Sequence, residues 1–159
     1  MRLTNKIIET ISEHAIGTYP EECCGMITGI GHKQMVHLCQ NIQNNLHAED
    51  PDRYPRDART AYFIDRNEAE KIFAFAKKQG RELVAFYHSH IDTEAYFSKM
   101  DKEVQTIFGE PEFPEALQCV ISVKDGKIKE IKCFIWDGAK KDFLSIPTPL
   151  NSSSSRMDE

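Results

Sequence analysis

Leu3, Ile7, Ile8, Ile11 and Ala15 recur at helical spacing and predict an amphipathic helix over about 4–17. Gly17 and Pro20 mark its end, and His14 reads as a surface histidine on it. The apolar run over about 23–29 predicts a buried strand, with the adjacent Cys23 and Cys24 facing opposite sides. A turn over 29–33 then leads into a second strand over 34–40, with His37 at the core edge. Residues 41–61 are polar and rich in turn formers, which predicts a long loop. After a short extended piece at 61–64, Asp65 and Glu68 read as a capping box. That box opens a helix with Ala69, Ile72, Phe73 and Ala76 as its buried stripe and Gly80 as its stop. Residues 83–87 form a continuous apolar segment, a buried strand. Ser98 and Asp101 read as a helix start, and that helix runs to about 108, where Gly109, Pro111 and Pro114 break it.

The last third is antiparallel in character. A strand over 117–123 meets Asp125-Gly126, a type I′ hairpin turn, and a strand over 128–136 follows. Ile131, Cys133 and Ile135 lie on one face of that strand and Phe134 and Trp136 on the other, so both faces need covering. Asp137-Gly138 repeats the turn and 141–146 closes the sheet, while the prolines and serines beyond predict a disordered tail over 150–159. Helices interleaved with strands, followed by a hairpin set, give an α/β domain over 1–149 with a mixed central sheet flanked by helices.

Composition narrows the function classes. A chain of 159 residues is long enough for one domain with a real core. A net charge of −5 argues against bulk nucleic-acid binding, and no apolar run is long enough to cross a bilayer. The first residues lack the apolar core of a signal peptide. Five cysteines, an odd number with no Cys-x2-Cys pair, favour reduced thiols in a cytoplasmic protein over a disulfide frame.

The chemistry gathers where the 83–87 strand leaves the core. His88 and His90 are two apart, so on a strand both imidazoles point to one face. Alone, such a pair is usually two polar residues at a strand end, and Ser98 with Asp101 alone reads as a helix cap rather than chemistry. The first helical turn after Ser98, however, can swing the Asp101 carboxylate back toward the histidines. Two nitrogens and one oxygen, with a fourth place for water, is the layout of catalytic zinc.

The joint spacing His88-x-His90-x7-Ser98-x2-Asp101 resembles the signature of the JAMM (MPN+) zinc metalloproteases. The segment Thr93-Glu94-Ala95-Tyr96 looks like small stand-alone bacterial members that act on sulfur-carrier adducts. The junction Pro20-Glu21-Glu22-Cys23-Cys24-Gly25, by itself a solvated turn, is similar to the family's Pro-x-Glu-x-Cys-Gly pattern. Matching Pro20, Cys24 and Gly25 puts the general base at Glu22 rather than Glu21. The resemblance implies a cytidine-deaminase-like three-layer fold, zinc on His88, His90 and Asp101, and Ser98 stabilising the charge on the carbonyl oxygen. It also implies hydrolysis after the C-terminal Gly-Gly of a ubiquitin-like sulfur-carrier protein, releasing cysteine or another amine.

The resemblance has departures. Ile91 and Phe97 stand where the family often has proline, which implies a less rigid loop and a Phe97 that shapes the substrate subsite. Ser89, between the two ligands, faces the other way and reads as structural. A carrier tail would lie extended, added to a strand edge near 24–28 or along 41–61, where Arg53, Arg56 and Arg59 could dock an acidic carrier. Two other classes compete. A catalytically silent MPN-like scaffold would generally have lost the ligands that are present here. A nucleobase deaminase would carry His-x-Glu and Pro-Cys-x-x-Cys, which are missing.

Overall fold

The structure is a computed structural model that describes residues 3–147. The tail expected over 150–159 lies outside the described residues. Helix α1 (Asn5–Thr18) precedes strands β1 (Cys24–Ile30) and β2 (Lys33–Cys39). Helices α2 (Gln43–Glu49) and α3 (Arg66–Lys78) come next, then strand β3 (Glu82–Ile91) and helix α4 (Lys99–Gln105). The short strands β4 (Thr106–Ile107) and β5 (Glu110–Pro111) follow, and β6 (Leu117–Lys124), β7 (Lys127–Asp137) and β8 (Asp142–Ile146) complete the chain.

Six strands form one mixed sheet in the order β2-β1-β3-β6-β7-β8, with β3 and β6 parallel and every other neighbour antiparallel. The alternation of side chains along these strands builds a separate core on each face. On one face Ile7, Ile11 and Ala15 of α1 pack with Cys23, Ile27, Ala85, Tyr87, Cys119 and Cys133. On the other, Ala69 and Ile72 of α3 and Val104 of α4 pack with Cys24, Met26 and Phe86. Cys23 and Cys24 therefore do face opposite sides, and the result is three layers: helix, sheet, helices. All five cysteines are buried free thiols. No described helix is long and apolar enough to cross a membrane.

Several expectations are corrected. The segment over 41–61 is not a plain loop: α2 lies within it, and its amides tie it down. Asn41 Nδ2 donates to the Glu22 and Ala61 carbonyls at 2.9 and 3.1 Å, Asn44 Oδ1 accepts from Ala58 N at 2.8 Å, and His47 bonds the Tyr54 carbonyl at 2.7 Å. Asp65 caps α3 by accepting from Asn67 N, but Glu68 does not close a capping box, because its Oε1 instead accepts from Gln40 N. Helix α4 ends at Gln105, three residues before the expected stop, because 106–111 fold back as the β4–β5 hairpin. Phe108 and Gly109 both take left-handed conformations at its tip. Asp125 and Gly126 do form the expected two-residue turn, with φ of 53° and 76°. Asp137-Gly138 does not repeat it. The β7–β8 loop takes four residues, 138–141, with Lys141 the left-handed one and Asp137 Oδ1 accepting from Ala139 N and Lys140 N. His14 is no simple surface residue. It is half-buried, burial lowers its pKa, and its Nδ1 shares a 2.7 Å hydrogen bond with the Tyr87 hydroxyl.

That Tyr87 ring lies directly over Gly25 of β1, where an added Cβ would overlap Cε2, Cζ and the hydroxyl oxygen. Tyr87 is buried and held at its far end by His14, so it has little room to yield. Gly25→Ala is therefore expected to destabilise the fold by about 1–3 kcal/mol, read as a lower urea midpoint with an unchanged m-value.

Candidate metal centre

The site forms at the C-terminal end of β3, on the α3–α4 face. Phe86, His88 and His90 alternate with Tyr87 and Ser89 along the strand, so Phe86 goes into the second core and the two histidines continue its row. Both imidazoles are almost fully buried and meet the Asp101 carboxylate: His88 Nε2 and His90 Nε2 each lie 3.1 Å from Asp101 Oδ2. Ser89 points to the opposite face, where its hydroxyl accepts from Cys23 N at 2.8 Å, and Ser89 N donates to the Cys23 carbonyl. These two bonds fix the residue next to Glu22 against the strand that carries the histidines.

Asp101 is delivered by the start of α4. Ser98 Oγ accepts from Asp101 N and Asp101 Oδ2 accepts from Ser98 N, both at 3.0 Å, the reciprocal capping box. One carboxylate oxygen thus closes the helix end and faces both histidines. Burial works to raise the Asp101 pKa, but the His88 and His90 imidazoles outweigh it and hold the carboxyl well below the usual carboxylate range.

The donor chemistry fits a cation. His90 Nδ1 lies 3.0 Å from the Glu94 carbonyl, which can only accept, so Nδ1 carries a hydrogen, and Nε2, 3.1 Å from Asp101 Oδ2, is the nitrogen whose lone pair a cation would take in place of a proton. His88 Nε2, although 3.1 Å from Asp101 Oδ2, is aligned with no hydrogen-bond partner and is left orphaned in a buried place. Among the described residues, one group of metal-binding side chains lies close enough together to hold an ion: His88, His90 and Asp101, with donor atoms all within 4.8 Å of one another.

Glu22 lines the same cleft, a cavity of about 110 Å³ that it shares with His90, Ser98 and Asp101. Among the described residues, its Oε1 is the other buried side-chain polar atom left without a partner. Burial raises its pKa well above the ordinary glutamate value, the negative charge of Asp101 raises it further, and Arg56 opposes the rise. Its backbone is held on both sides, with Glu22 N donating to Ala58 O at 2.8 Å and Asn41 donating to Glu22 O. Glu21 points elsewhere and accepts from Asn44 Nδ2. The structure thus brings together all five residues singled out in the sequence: Glu22, His88, His90, Ser98 and Asp101.

One neighbour was not legible beforehand. Tyr62, buried, stacks on the His88 ring at 4.3 Å and 21°. Nothing in the sequence marked it beyond its place in a short extended piece. Arg56 and Arg59 line the cleft, whereas Arg53 sits over the Tyr54 ring 5.4 Å away. Phe97 is corrected: it does not shape a subsite but is buried in a third core with Phe134 and Phe143, while Tyr96 takes the cleft wall. That anchor holds the loop where proline would have stiffened it. The expected strand-edge groove near 24–28 is also excluded, because β1 is paired with β2 on one side and β3 on the other.

With the geometry in view, comparison with known proteins gives a consistent answer. The profile of prokaryotic homologues of the JAB domain matches residues 4–122. The CysO-cysteine peptidase of Mycobacterium tuberculosis is 26% identical over 134 residues, 84% of this chain and 81% of that protein. The desampylase of Haloferax volcanii is 29% identical over 99 residues, 62% of this chain and 65% of that protein. The crystal structure of AF2198, a JAB1/MPN domain protein from Archaeoglobus fulgidus, superposes with a TM-score of 0.55 at 12% identity, covering 94% of this chain and 98% of that one. This last likeness speaks to the fold.

Proposed function

Because the chain belongs to the family of prokaryotic homologues of the JAB domain, we propose that it is a zinc-dependent metallopeptidase that cuts after the C-terminal Gly-Gly of a ubiquitin-like sulfur-carrier protein and releases cysteine. The observation that carries the reading is the pair of orphaned buried atoms, His88 Nε2 and Glu22 Oε1, in a site that also holds Asp101 and His90. Buried polar atoms without partners are costly, and their concentration in one place points to a missing cation and to chemistry. The relative named as a CysO-cysteine peptidase, matched over most of both chains, supports the leaving group.

His88, His90 and Asp101 would hold the zinc, which supplies a Lewis acid able to lower the pKa of water from 15.7 toward about 7. Glu22 takes the proton of the attacking water with its free carboxylate oxygen. The water oxygen bonds to the scissile carbonyl carbon, and as the C–N bond breaks Glu22 returns the proton to the leaving amine. Ser98 Oγ already accepts from Asp101 N, so its own hydrogen is free to be donated to the carbonyl oxygen as charge builds there. Tyr62, stacked on His88, fixes the plane of that imidazole.

The test is a carrier protein extended by cysteine after its Gly-Gly, incubated with zinc-loaded protein. Free cysteine and a carrier lighter by one residue are expected, and a chelator should stop both. One zinc bound per chain with no cleavage of this adduct would favour the silent scaffold instead. Failure to bind zinc would remove the metallopeptidase reading altogether.

A further inference from the structure

Resting on the peptidase reading above, we propose that Arg56 recognises the free α-carboxylate of the released amino acid and so makes this site selective for a single C-terminal residue over a lysine-linked isopeptide. Arg56 lines the cleft that holds Glu22, Ser98 and Asp101, and it also lines an adjoining cavity of about 230 Å³. Among the described residues its guanidinium forms no ion pair or hydrogen bond. Its neighbour Arg59, by contrast, is engaged by Asp57 at 3.1 Å. A guanidinium offers a planar fork of donors that matches a carboxylate, and one left open on the wall of a reaction cleft is suited to bind an anion there.

Its placement relative to the reacting atoms is fixed by the fold. The Arg56 carbonyl accepts from the buried Gln43 side chain at 3.0 Å. Two residues on, Ala58 O accepts from Glu22 N at 2.8 Å. The arginine and the glutamate are therefore carried on segments bonded directly to each other, and the positive charge of Arg56 is felt at the Glu22 carboxyl. An amino acid leaving through its α-nitrogen has its carboxylate attached at the next carbon, so the anion must fall close to the atom that Glu22 protonates. A lysine leaving through its ε-nitrogen presents a run of methylenes there and no charge. Of the cleft's lining residues, Glu22 and Asp101 would repel a carboxylate, and Arg56 supplies the uncommitted positive group.

The experiment compares three forms of one Gly-Gly-ending sulfur-carrier protein: ligated to cysteine, ligated to cysteine amide, and joined to the ε-nitrogen of a capped lysine. Zinc-loaded wild type is expected to favour the free acid over the amide by about 10- to 100-fold in kcat/KM, the range of one charged hydrogen-bonded contact. The difference should appear mainly in KM, because the contact is made before and during the reaction alike. Arg56→Gln should bring the acid-to-amide ratio to within about twofold of one, and Arg56→Lys should restore part of it. Equal rates on acid and amide in the wild type would overturn the inference and leave the peptidase reading standing, as would an acid-to-amide ratio that survives in Arg56→Gln. No hydrolysis of any of the three would overturn the peptidase reading, and this inference with it.

Discussion

Glu22→Gln is expected to lower kcat on a Gly-Gly–cysteine adduct by about 10²- to 10⁴-fold, the usual weight of a positioned general acid–base group, while the chain still binds one zinc ion. Glutamine keeps the shape of the side chain but can neither accept the proton of water nor return one to an amine. The metal should be unaffected, because the three donors that face each other are His88, His90 and Asp101. The backbone of residue 22 is held by Ala58 O and Asn41 Nδ2 whatever its side chain, so the substitution should leave the site in place. Stability should not suffer either, because a buried, unpartnered carboxyl whose pKa is driven up by burial and by Asp101 is a cost to the fold. The control is Glu21→Gln, which alters a side chain turned away toward Asn44 and should leave kcat within about twofold of wild type. A Glu22→Gln protein that keeps full zinc and loses less than tenfold in kcat would place the base elsewhere. Single-turnover rates with the metal content of each sample decide the matter.

The parts of this protein that could be read from its sequence are those set by local stereochemistry. Asp125-Gly126 was legible because a two-residue hairpin turn needs two left-handed residues, and both take that conformation. The same dipeptide at 137–138 misled, because there Asp137 uses its carboxylate to hold two backbone N–H groups and the left-handed residue comes later, at Lys141. The His-x-His alternation and the Ser98–Asp101 box were legible for the same reason, since strand pleat and helix cap each fix where a side chain goes. What could not be read is what depends on distant partners. Residues 41–61 look like a loop by composition, yet Asn41, Gln43 and Asn44 spend their amides on backbone groups at 22, 56, 58 and 61 and turn it into a wall of the cleft. Tyr62 over His88 and Arg56 beside Glu22 belong to that wall, and no periodicity points to either. Phe97 was misjudged because its register on the loop buries it against β7 and β8, which sequence spacing does not reveal.

Asp101→Asn separates the two roles of the residue that joins helix to site. The asparagine oxygen can still accept from Ser98 N, and the bond from residue 101 N to Ser98 Oγ does not involve its side chain, so the box at the start of α4 should survive. Metal-free Asp101→Asn is nonetheless expected to melt below metal-free wild type, because the amide lacks the charge that both imidazoles stabilise. Zinc binding should fare differently. The substitution removes the only negative charge among the three donors, at a place where both histidines present buried nitrogens. Even partners that merely support a metal ligand cost 10- to 100-fold in affinity when lost, so removal of a ligand should cost about 100-fold or more. Ligand linkage makes this visible without any substrate. With free zinc at about 100 times its dissociation constant the wild type gains about 2.7 kcal/mol of stability, and an affinity loss of 100-fold reduces that gain to about 0.4 kcal/mol. Thermal melts with and without zinc, on wild type and variant, read both quantities in one experiment. A variant that still unfolds cooperatively without metal, yet no longer shifts when zinc is added, assigns the carboxylate to the cation. Equal zinc-induced shifts in both proteins would remove Asp101 from the ligand set and leave the two imidazoles without the anion that the site is built to place between them.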